Sequence, residues 1–461
     1  MKLEHELIDS AKYWSFCMYP FLVTGENVSD RLDGLINTAP LTMHGTSTLY
    51  VHIPFCDSIC AFCPFAKTIY NSNTVDKYLD GLEKEIKMLK KYPIYSNMVL
   101  DMIAIGGGSP SSLNAKQLTR LLDMIVSNFT ISNDYEWSME CEPRSFTEEK
   151  AIIMKEYGIN RVSLGVQTLN EKYRKMLNLT TSITQIEDSL TIAKKHFPLQ
   201  NLDILFALPG QTEAEVLEDI QKVMDLGSTS IETNPLVYAS CTATFLRKIS
   251  KGELPRRATK EEIVSLTDSL FNYLRKNDWY QFHVLTHFAP HVDKENRRFR
   301  YFESLFGKVT DHLLGIGASS VTYLEGVCYA NYPSVDSYLN AIEDGKLPVL
   351  KAREYFAYEK ALAEFPQTMM LSKKYYEKIS KIHPYAKEVI ESWMIKGYLD
   401  DLGDHLRIKD EYRAYFIPMS NQLVPEEERE AMASDLRNME AGKINASNLS
   451  DEDWLGYLKD M

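Results

Sequence analysis

Cys56, Cys60 and Cys63 fall within eight residues, in Tyr50-Val-His-Ile-Pro-Phe-Cys56-Asp-Ser-Ile-Cys60-Ala-Phe-Cys63-Pro-Phe65. Three thiolates on one short loop can hold three irons of a [4Fe–4S] cube and leave the fourth iron open to a substrate or cofactor. Two other chemistries compete. Cys60-Ala-Phe-Cys63 alone is a CxxC that could act as a redox dithiol, and adding His52 makes a nominal Cys3His zinc set. Zinc is the stronger competitor, but His52 lies inside a strand ahead of the loop, and its ring would have to turn back past Pro54. The other cysteines are Cys17, Cys141, Cys241 and Cys328. An odd total of seven in a long chain that opens Met1-Lys2-Leu3-Glu4, with no apolar leader, argues against a disulfide framework.

The elements that must position this loop can be read from periodicity. Candidate strands are Leu49–Pro54, Val99–Ile105, Glu136–Glu142, Arg161–Gln167, Leu202–Leu208 and Ser230–Tyr238, separated by helical patterns near 75–92, 116–129, 147–158, 182–196 and 213–226. Thr147 and Thr212 precede acidic first turns, and Gly158 and Gly227 stand where helices should stop. Six strand-helix units predict an α/β fold, a partial (β/α)6 barrel of the TIM type, with the doubly wound sheet as the alternative. The cysteine loop leaves the first strand at the C-terminal mouth, where barrels build active sites. Residues 1–48 form a leading arm, 49–345 the barrel and its extension, and 346–461 a mainly helical C-terminal domain. The extension includes a Gly-rich, strand-like stretch, Leu313–Val321. Two acidic runs near the end, Glu426–Glu430 and Asp451–Asp453, read as solvated helix or tail.

The 461 residues are 44% hydrophobic and 25% charged, which excludes a disordered or collagen-like chain. With 51 basic and 64 acidic residues the formal charge is −13, which disfavours nucleic acid and anionic membrane as partners. No apolar run reaches the ~18 residues a membrane span needs, so the expectation is a soluble, cytoplasmic protein.

Further polar groups sit at successive strand ends. Gly106-Gly-Gly-Ser-Pro110 closes the second strand, where glycines let backbone approach a ligand and expose N–H groups to a carboxylate. Glu140 nears the end of the third strand and can accept from a ribose or an amino group. Gln167 ends the fourth, and Asp203 lies in the fifth. One shared ligand explains four such groups better than four separate surface contacts.

C-x3-C-x2-C with Phe62 before the last cysteine resembles the signature of the radical S-adenosylmethionine (SAM) superfamily, and Tyr50-Val-His-Ile-Pro-Phe resembles its oxygen-independent coproporphyrinogen III oxidase-like family. The resemblance covers most of residues 49–332. It implies that Cys56, Cys60 and Cys63 ligate a [4Fe–4S] cluster, and that Tyr50, Phe62, Gly107, Gly108, Glu140, Gln167 and Asp203 contact SAM. It also implies that a second SAM can be held by Gly108, Ser109, Gln167, Ala239 and Val321. Reductive cleavage of SAM would give methionine and a 5′-deoxyadenosyl radical, with the electron coming from a donor such as flavodoxin or ferredoxin.

Three departures direct the choice within the family. Phe65 replaces the further cysteine of true coproporphyrinogen dehydrogenases, as in methyltransferase, heme-opening and chaperone members. Glu295-Asn-Arg-Arg-Phe299 lacks the histidine of the chaperones' heme motif, with His287 and His291 nearby. Leu179, after Asn178, stands where an arginine is usual and cannot pair with a carboxylate. The expected reaction is therefore radical methyl or methylene transfer to an unsaturated carbon. The alternatives are a coproporphyrinogen oxidase-like or heme-opening, anaerobilin synthase-like tetrapyrrole enzyme, and a heme chaperone without turnover. Arg297, Arg298 and Arg300, interleaved with Phe299, Tyr301 and Phe302, suit a tetrapyrrole's propionates, although a solvated helix face is the better account of the arginines alone. Tyr238, His283 and His287 are unranked candidates for a general acid.

Replacing Cys63→Ala removes one iron ligand on this reading. The expected result is loss of most cluster absorbance after anaerobic reconstitution and no SAM cleavage, whereas Cys328→Ala leaves both at the wild-type level.

Overall fold

The computed structural model describes residues 3–9, 26–39, 45–63, 66–238, 241–281, 285–291, 299–302, 311–354 and 360–423. Six parallel strands lie side by side in chain order: β1 (Ser47–Ile53), β2 (Val99–Gly107), β3 (Thr130–Cys141), β4 (Arg161–Gln167), β5 (Leu199–Phe206) and β6 (Ser230–Pro235). A doubly wound sheet reverses its direction of growth at a switch point. Here each strand is added beside its predecessor, so the sheet curls the same way throughout, as a partial barrel does. The helices after these strands include α1 (Ser72–Leu89), α2 (Ala115–Asn128), α3 (Glu148–Glu156), α4 (Glu171–Met176), α5 (Ile183–His196), α6 (Glu213–Asp225), α7 (Ala243–Ser250) and α8 (Lys260–Lys276).

Local chemistry explains these boundaries. Asn114 with Gln117, Ser182 with Gln185 and Thr212 with Glu215 form reciprocal capping boxes at α2, α5 and α6, and a cap of this kind is worth about 1 kcal/mol. The fifth strand starts earlier than its apolar run suggests and stops at Phe206, because Ala207 takes a left-handed φ of 56° and breaks the ladder. The third begins at Thr130, six residues before the apolar pattern, since its first half is largely exposed and carries Ser132, Asn133 and Asp134. The fourth unit hides α4, six residues with too little apolar periodicity to be seen, started by the Asn170 side chain accepting from Lys172 N.

Among the described residues the sheet continues past both ends of the six-strand run to twelve strands. Beyond β6 lie β8 (His287–Pro290) and β7 (Trp279–Gln281), both antiparallel. Beyond β1 lies β9 (His312–Ile316), which pairs in parallel and was the first half of the Gly-rich stretch. Antiparallel strands β10 (Val321–Leu324), β11 (Val327–Asn331) and β12 (Val349–Glu354) follow it. Thus the chain first adds an edge strand to the main sheet after the expected boundary at 345. The C-terminal region has the expected helices, Lys360–Thr368, Lys373–Ile382, Pro384–Ile395 and Phe416–Gln422, around a small antiparallel sheet of Met370–Ser372, His405–Ile408 and Leu399–Asp401. Strands of three or four residues leave no readable alternation. The leading arm is tied to both ends of this architecture: Val28 N donates to Ala352 O at 2.9 Å, and Glu4 N to the Tyr415 hydroxyl at 2.9 Å. Among the described residues no helix is long and apolar enough to cross a membrane.

A buried polar node closes the seam between β1 and β9. Glu85 of α1 accepts from Gly317 N at 2.8 Å, Asn331 Nδ2 at 2.6 Å and the Tyr338 hydroxyl at 2.6 Å. Two turns earlier on the same helix face, the Tyr78 hydroxyl donates to His52 O and accepts from Ala318 N, each at 2.8 Å. Gly317, at φ 93°, is required here, since a Cβ would stand 2.5 Å from that hydroxyl and 2.7 Å from His52 O. Burial outweighs the three donors and pushes the Glu85 carboxyl up to about 7. The folded state therefore keeps a proton that the unfolded chain releases near pH 4.5, and stability from this group is lost as pH rises toward 7. The unfolding free energy of the wild type from urea titrations should fall across pH 5 to 7.5, by up to ~1.4 kcal/mol per pH unit from this group, and Glu85→Gln should flatten that slope.

Candidate active site

The cysteine loop is held mostly by bonds borrowed from distant parts of the chain. Phe55–Cys56 pairs in parallel with Thr68–Ile69, which buries Cys56 and leaves Cys60 and Cys63 half-buried. Ala61 N donates to Leu177 O at 3.1 Å and Ala61 O accepts from Thr242 N at 2.8 Å. Ile59 O accepts from Asn178 Nδ2 at 3.0 Å, and Cys63 O from Lys67 Nζ at 2.6 Å. Phe62 and Ala61 join an apolar cluster with Tyr173, Leu177, Leu179 and Phe245. Leu179, in place of the usual arginine, is therefore a packing residue under the loop.

Burial, with the neighbouring thiols adding to it, pushes Cys56 up to about 11 and Cys60 up to about 12. A CxxC dithiol works through a lowered thiol pKa, so Cys60 is tuned away from that chemistry. A bound cationic centre would reverse the shift and hold the sulfurs as thiolates. The zinc set loses its fourth member. His52 Nε2 lies 3.2 Å from Ala66 O, a pure acceptor, which makes Nε2 the protonated nitrogen; Nδ1 then accepts from the Tyr50 hydroxyl at 3.2 Å. Among the described residues no three His, Cys, Asp or Glu side chains already converge on one ion. A zinc ion ~2.3 Å from each sulfur would require that. Three thiols on one loop are the donor set that a [4Fe–4S] cube with one open iron calls for.

The glycine turn after β2 is stapled to the loop's entry. Gly108 N donates to Ile53 O and Ser109 N to Phe55 O, each at 2.8 Å, while Ser109 Oγ lies 3.8 Å from Cys56 Sγ. Gly107 N donates to Glu140 Oε2 at 3.2 Å. This corrects the expectation that the turn's N–H groups are exposed: the protein's own acceptors take those of Gly107, Gly108 and Ser109. The glycines serve close approach instead. A Cβ on Gly106 would sit 2.8 Å from the Glu140 carboxyl carbon, and one on Gly108 would sit 2.7 Å from Phe55 O.

Inside the barrel, burial pushes Glu140 up to about 7. Asp203 is raised well above the usual carboxylate range by burial, then by Glu140 and Glu232, although Ser163 Oγ and Asn201 Nδ2 donate to it at 3.1 and 2.7 Å. The Tyr50 ring stacks on Tyr301, with centroids 6.1 Å apart and planes 10° from parallel. Burial and the nearby Glu140 raise both phenols. Gln167 ends β4 with a left-handed φ of 67°, a strained backbone for a non-glycine residue. Arg174 braces the turn on both sides of it, donating to Val166 O at 3.0 Å, Thr168 O at 2.7 Å and Thr181 O.

The structure thus brings Tyr50, Gly107, Glu140 and Asp203 to one lumen, with Gln167 at its rim. Val321 packs beside Tyr50 in a small cluster with Leu313 and Tyr323. Ala239, Phe65, His283, Arg297 and Arg298 lie outside the described residues, as does most of the Glu295–Phe299 stretch. Tyr238 is corrected as an acid candidate: its hydroxyl donates to Ala207 O at 2.8 Å and accepts from Ala258 N. His287 faces inward, Nδ1 3.3 Å from Glu232 Oε2 and its ring against Phe299 and Phe302. Arg300 binds Asp134 O and Oδ1 at 3.0 and 3.3 Å, which places it at the outer start of β3.

Sequence reasoning missed Arg174, Glu232, the stacking of Tyr301 on Tyr50 and the buried Arg161–Glu136 pair, whose Nη2 and Oε2 are 3.2 Å apart beneath Phe299. Glu232 could have been found, because it sits in register with Asp203 on the next strand. The stacking of Tyr301 carries no local signal.

Comparison with known proteins agrees with this geometry. Residues 50–223 match the Radical SAM superfamily. The heme chaperone HemW of Lactococcus lactis subsp. lactis is 30% identical over 296 residues, covering 64% of this chain and 74% of that protein. The oxygen-independent coproporphyrinogen III oxidase of Escherichia coli is 29% identical over 314 residues, covering 65% and 67%. The solved structure of coproporphyrinogen III oxidase (HemN) from Escherichia coli superposes with a TM-score of 0.74 at 20% identity, covering 92% of this chain and 99% of that one. The fold is that of a radical SAM protein. Within that superfamily the chain belongs to the oxygen-independent coproporphyrinogen III oxidase-like family. These relatives favour the tetrapyrrole alternatives over methyl transfer.

Gly108→Ala would drive a methyl group into the Ile53 and Phe55 carbonyls. Overpacking of this kind costs about 1–3 kcal/mol. The reconstituted variant should hold under half the wild-type iron while keeping its far-ultraviolet circular dichroism spectrum.

Proposed function

We propose that this protein is a radical SAM enzyme acting on a tetrapyrrole of the coproporphyrinogen class. Cys56, Cys60 and Cys63 hold a [4Fe–4S] cluster in this reading, with SAM against Tyr50, Phe62, Gly107, Gly108, Glu140, Gln167 and Asp203. The cluster, once reduced by one electron, supplies reductive cleavage of SAM to methionine and a 5′-deoxyadenosyl radical.

The chain's own residues bind, orient and shield. Glu140 already accepts Gly107 N, so the carboxylate is fixed at the glycine turn where an amino group can reach its other oxygen. Asp203, held by Ser163 and Asn201, can accept from ribose hydroxyls. The Tyr50–Tyr301 stack and Phe299 give the lumen an apolar wall that excludes water from a reactive carbon radical. The observation that carries the reading is the convergence of Tyr50, Gly107, Glu140 and Asp203 beside the three-cysteine loop. The tetrapyrrole is supported by the names of the relatives, and the methyl-transfer expectation gives way to it for the same reason. A second reading, a heme chaperone, has the Lactococcus relative in its favour.

The test is anaerobic reconstitution with iron and sulfide, followed by dithionite, SAM and coproporphyrinogen III. Formation of 5′-deoxyadenosine with loss of CO2 from the tetrapyrrole is the expected outcome. Heme binding with a Soret shift, without SAM cleavage at full iron loading, would replace it by the chaperone reading. Substrate-dependent S-adenosylhomocysteine would restore methyl transfer. Equilibrium dialysis at full iron loading counts the SAM molecules; a second one should be weakened by Val321→Asp if Gly108, Ser109, Gln167, Ala239 and Val321 hold it.

A further inference from the structure

In a chain of formal charge −13, residues 241–260 carry six basic side chains, Arg247, Lys248, Lys251, Arg256, Arg257 and Lys260, against the single acid Glu253. Half of it, on Arg247, Lys248 and Lys251, is on or just beyond α7, and α7 is built onto the cysteine loop. Its inner face, Phe245, Leu246 and Ile249, shares one apolar cluster with Ala61 and Phe62. Its first turn is tied to the loop by Thr242 N donating to Ala61 O at 2.8 Å. The opposite face turns Thr244, Lys248 and Ser250 to solvent, with Lys251 exposed at its end and Arg247 half-buried. Arg256 is neutralised by Glu262, its guanidinium 2.6 Å from Oε1, so it adds little to the field. From a second side, exposed Lys175 sits at the end of α4, next to Leu177 and Asn178, whose bonds hold Ala61 and Ile59. Between these basic groups the loop itself reaches the surface, with Ile59 39% exposed beside Cys60.

We propose that the basic outer face of α7, with Lys175 and the exposed Ile59, is the docking surface for an acidic one-electron carrier protein of the flavodoxin or ferredoxin type. This rests on the reading of the loop as a cluster site. The carrier's reduced centre gives up one electron and the cluster accepts it, with no atom transferred. A chain with this net charge repels acidic proteins at long range, so a carrier needs a local field of the opposite sign at the place where the electron enters. An apolar residue inside a charged rim is the anatomy of a small, transient electron-transfer interface.

The experiment uses the reconstituted full chain and purified flavodoxin. Arg247→Glu/Lys248→Glu/Lys251→Glu should weaken flavodoxin binding at least about tenfold, measured as a Kd by fluorescence at low salt. Reduced flavodoxin should then produce 5′-deoxyadenosine correspondingly more slowly, while dithionite, a small reductant that needs no docking, should drive it at the wild-type rate. Lys374→Glu/Lys381→Glu, exposed on a C-terminal helix, serves as the control and should change neither. Unchanged flavodoxin binding in the triple variant, or equal weakening in the control, overturns the proposal. If the triple variant loses iron or fails to fold, Lys251→Glu and the wild-type salt dependence decide: a Kd that is flat from 50 to 300 mM salt overturns it. Wild-type protein that binds flavodoxin through this face yet makes no 5′-deoxyadenosine with dithionite would sink the radical SAM reading and leave the surface standing.

Discussion

The loop that carries Cys56, Cys60 and Cys63 has little secondary structure of its own, and the mouth of the barrel is arranged around how that loop is held. Apart from the Lys67 ammonium on Cys63 O, the holding bonds are backbone to backbone or backbone to amide: Ala61 with Leu177 and Thr242, Ile59 with Asn178, and Ile53 and Phe55 with the glycine turn. Their partners come from the ends of β2, from the segment after α4 and from the start of α7. Such bonds are worth about 1 kcal/mol each, but they fix direction, and a loop fixed at Ile59 and Ala61 has little freedom left at Cys60. The barrel is thus the device that brings three sequence-distant anchors to one mouth.

The same geometry makes the lumen electrostatically tense. Glu136, Glu140, Asp203 and Glu232 all come from the interior faces of β3, β5 and β6, and the structure answers each differently. Glu136 has the buried Arg161, Glu232 has Thr286 and His287, and Asp203 has neutral donors from Ser163 and Asn201. Among the described residues Glu140 has only one backbone N–H, and burial lifts it to about 7. The carboxyl beside the glycine turn is therefore the one least satisfied by the protein, which suits a group that awaits a cationic ligand atom.

The extension strands make the mouth depend on residues far from it. Tyr78 bonds the carbonyl of His52 while Glu85, on the same helix face, bonds Gly317, so α1, β1 and the β9–β10 turn form one unit. The His52 ring, seated between Ala66 and Tyr50, passes this constraint to the loop and to the aromatic stack. The imidazole that might have been a zinc ligand is a positioning residue.

What near neighbours encode was legible from the chain alone. The order of the six strand-helix units follows from periodicity, two helix starts from the caps at Thr147 and Thr212, and the place of the three-cysteine loop from cysteine spacing, because each signal is complete within about ten residues. The family's motif residues at Tyr50, Gly107, Glu140 and Asp203 could be named for the same reason. Closure of the sheet decided the rest. It selected the carbonyls that take the glycine turn's N–H groups, the proton on His52 Nε2, the pairing of Arg161 with Glu136 and the placing of Tyr301, 251 positions from Tyr50, flat against its ring. These contacts join residues that no local pattern relates, and they exist only once every strand has fixed which face it turns inward.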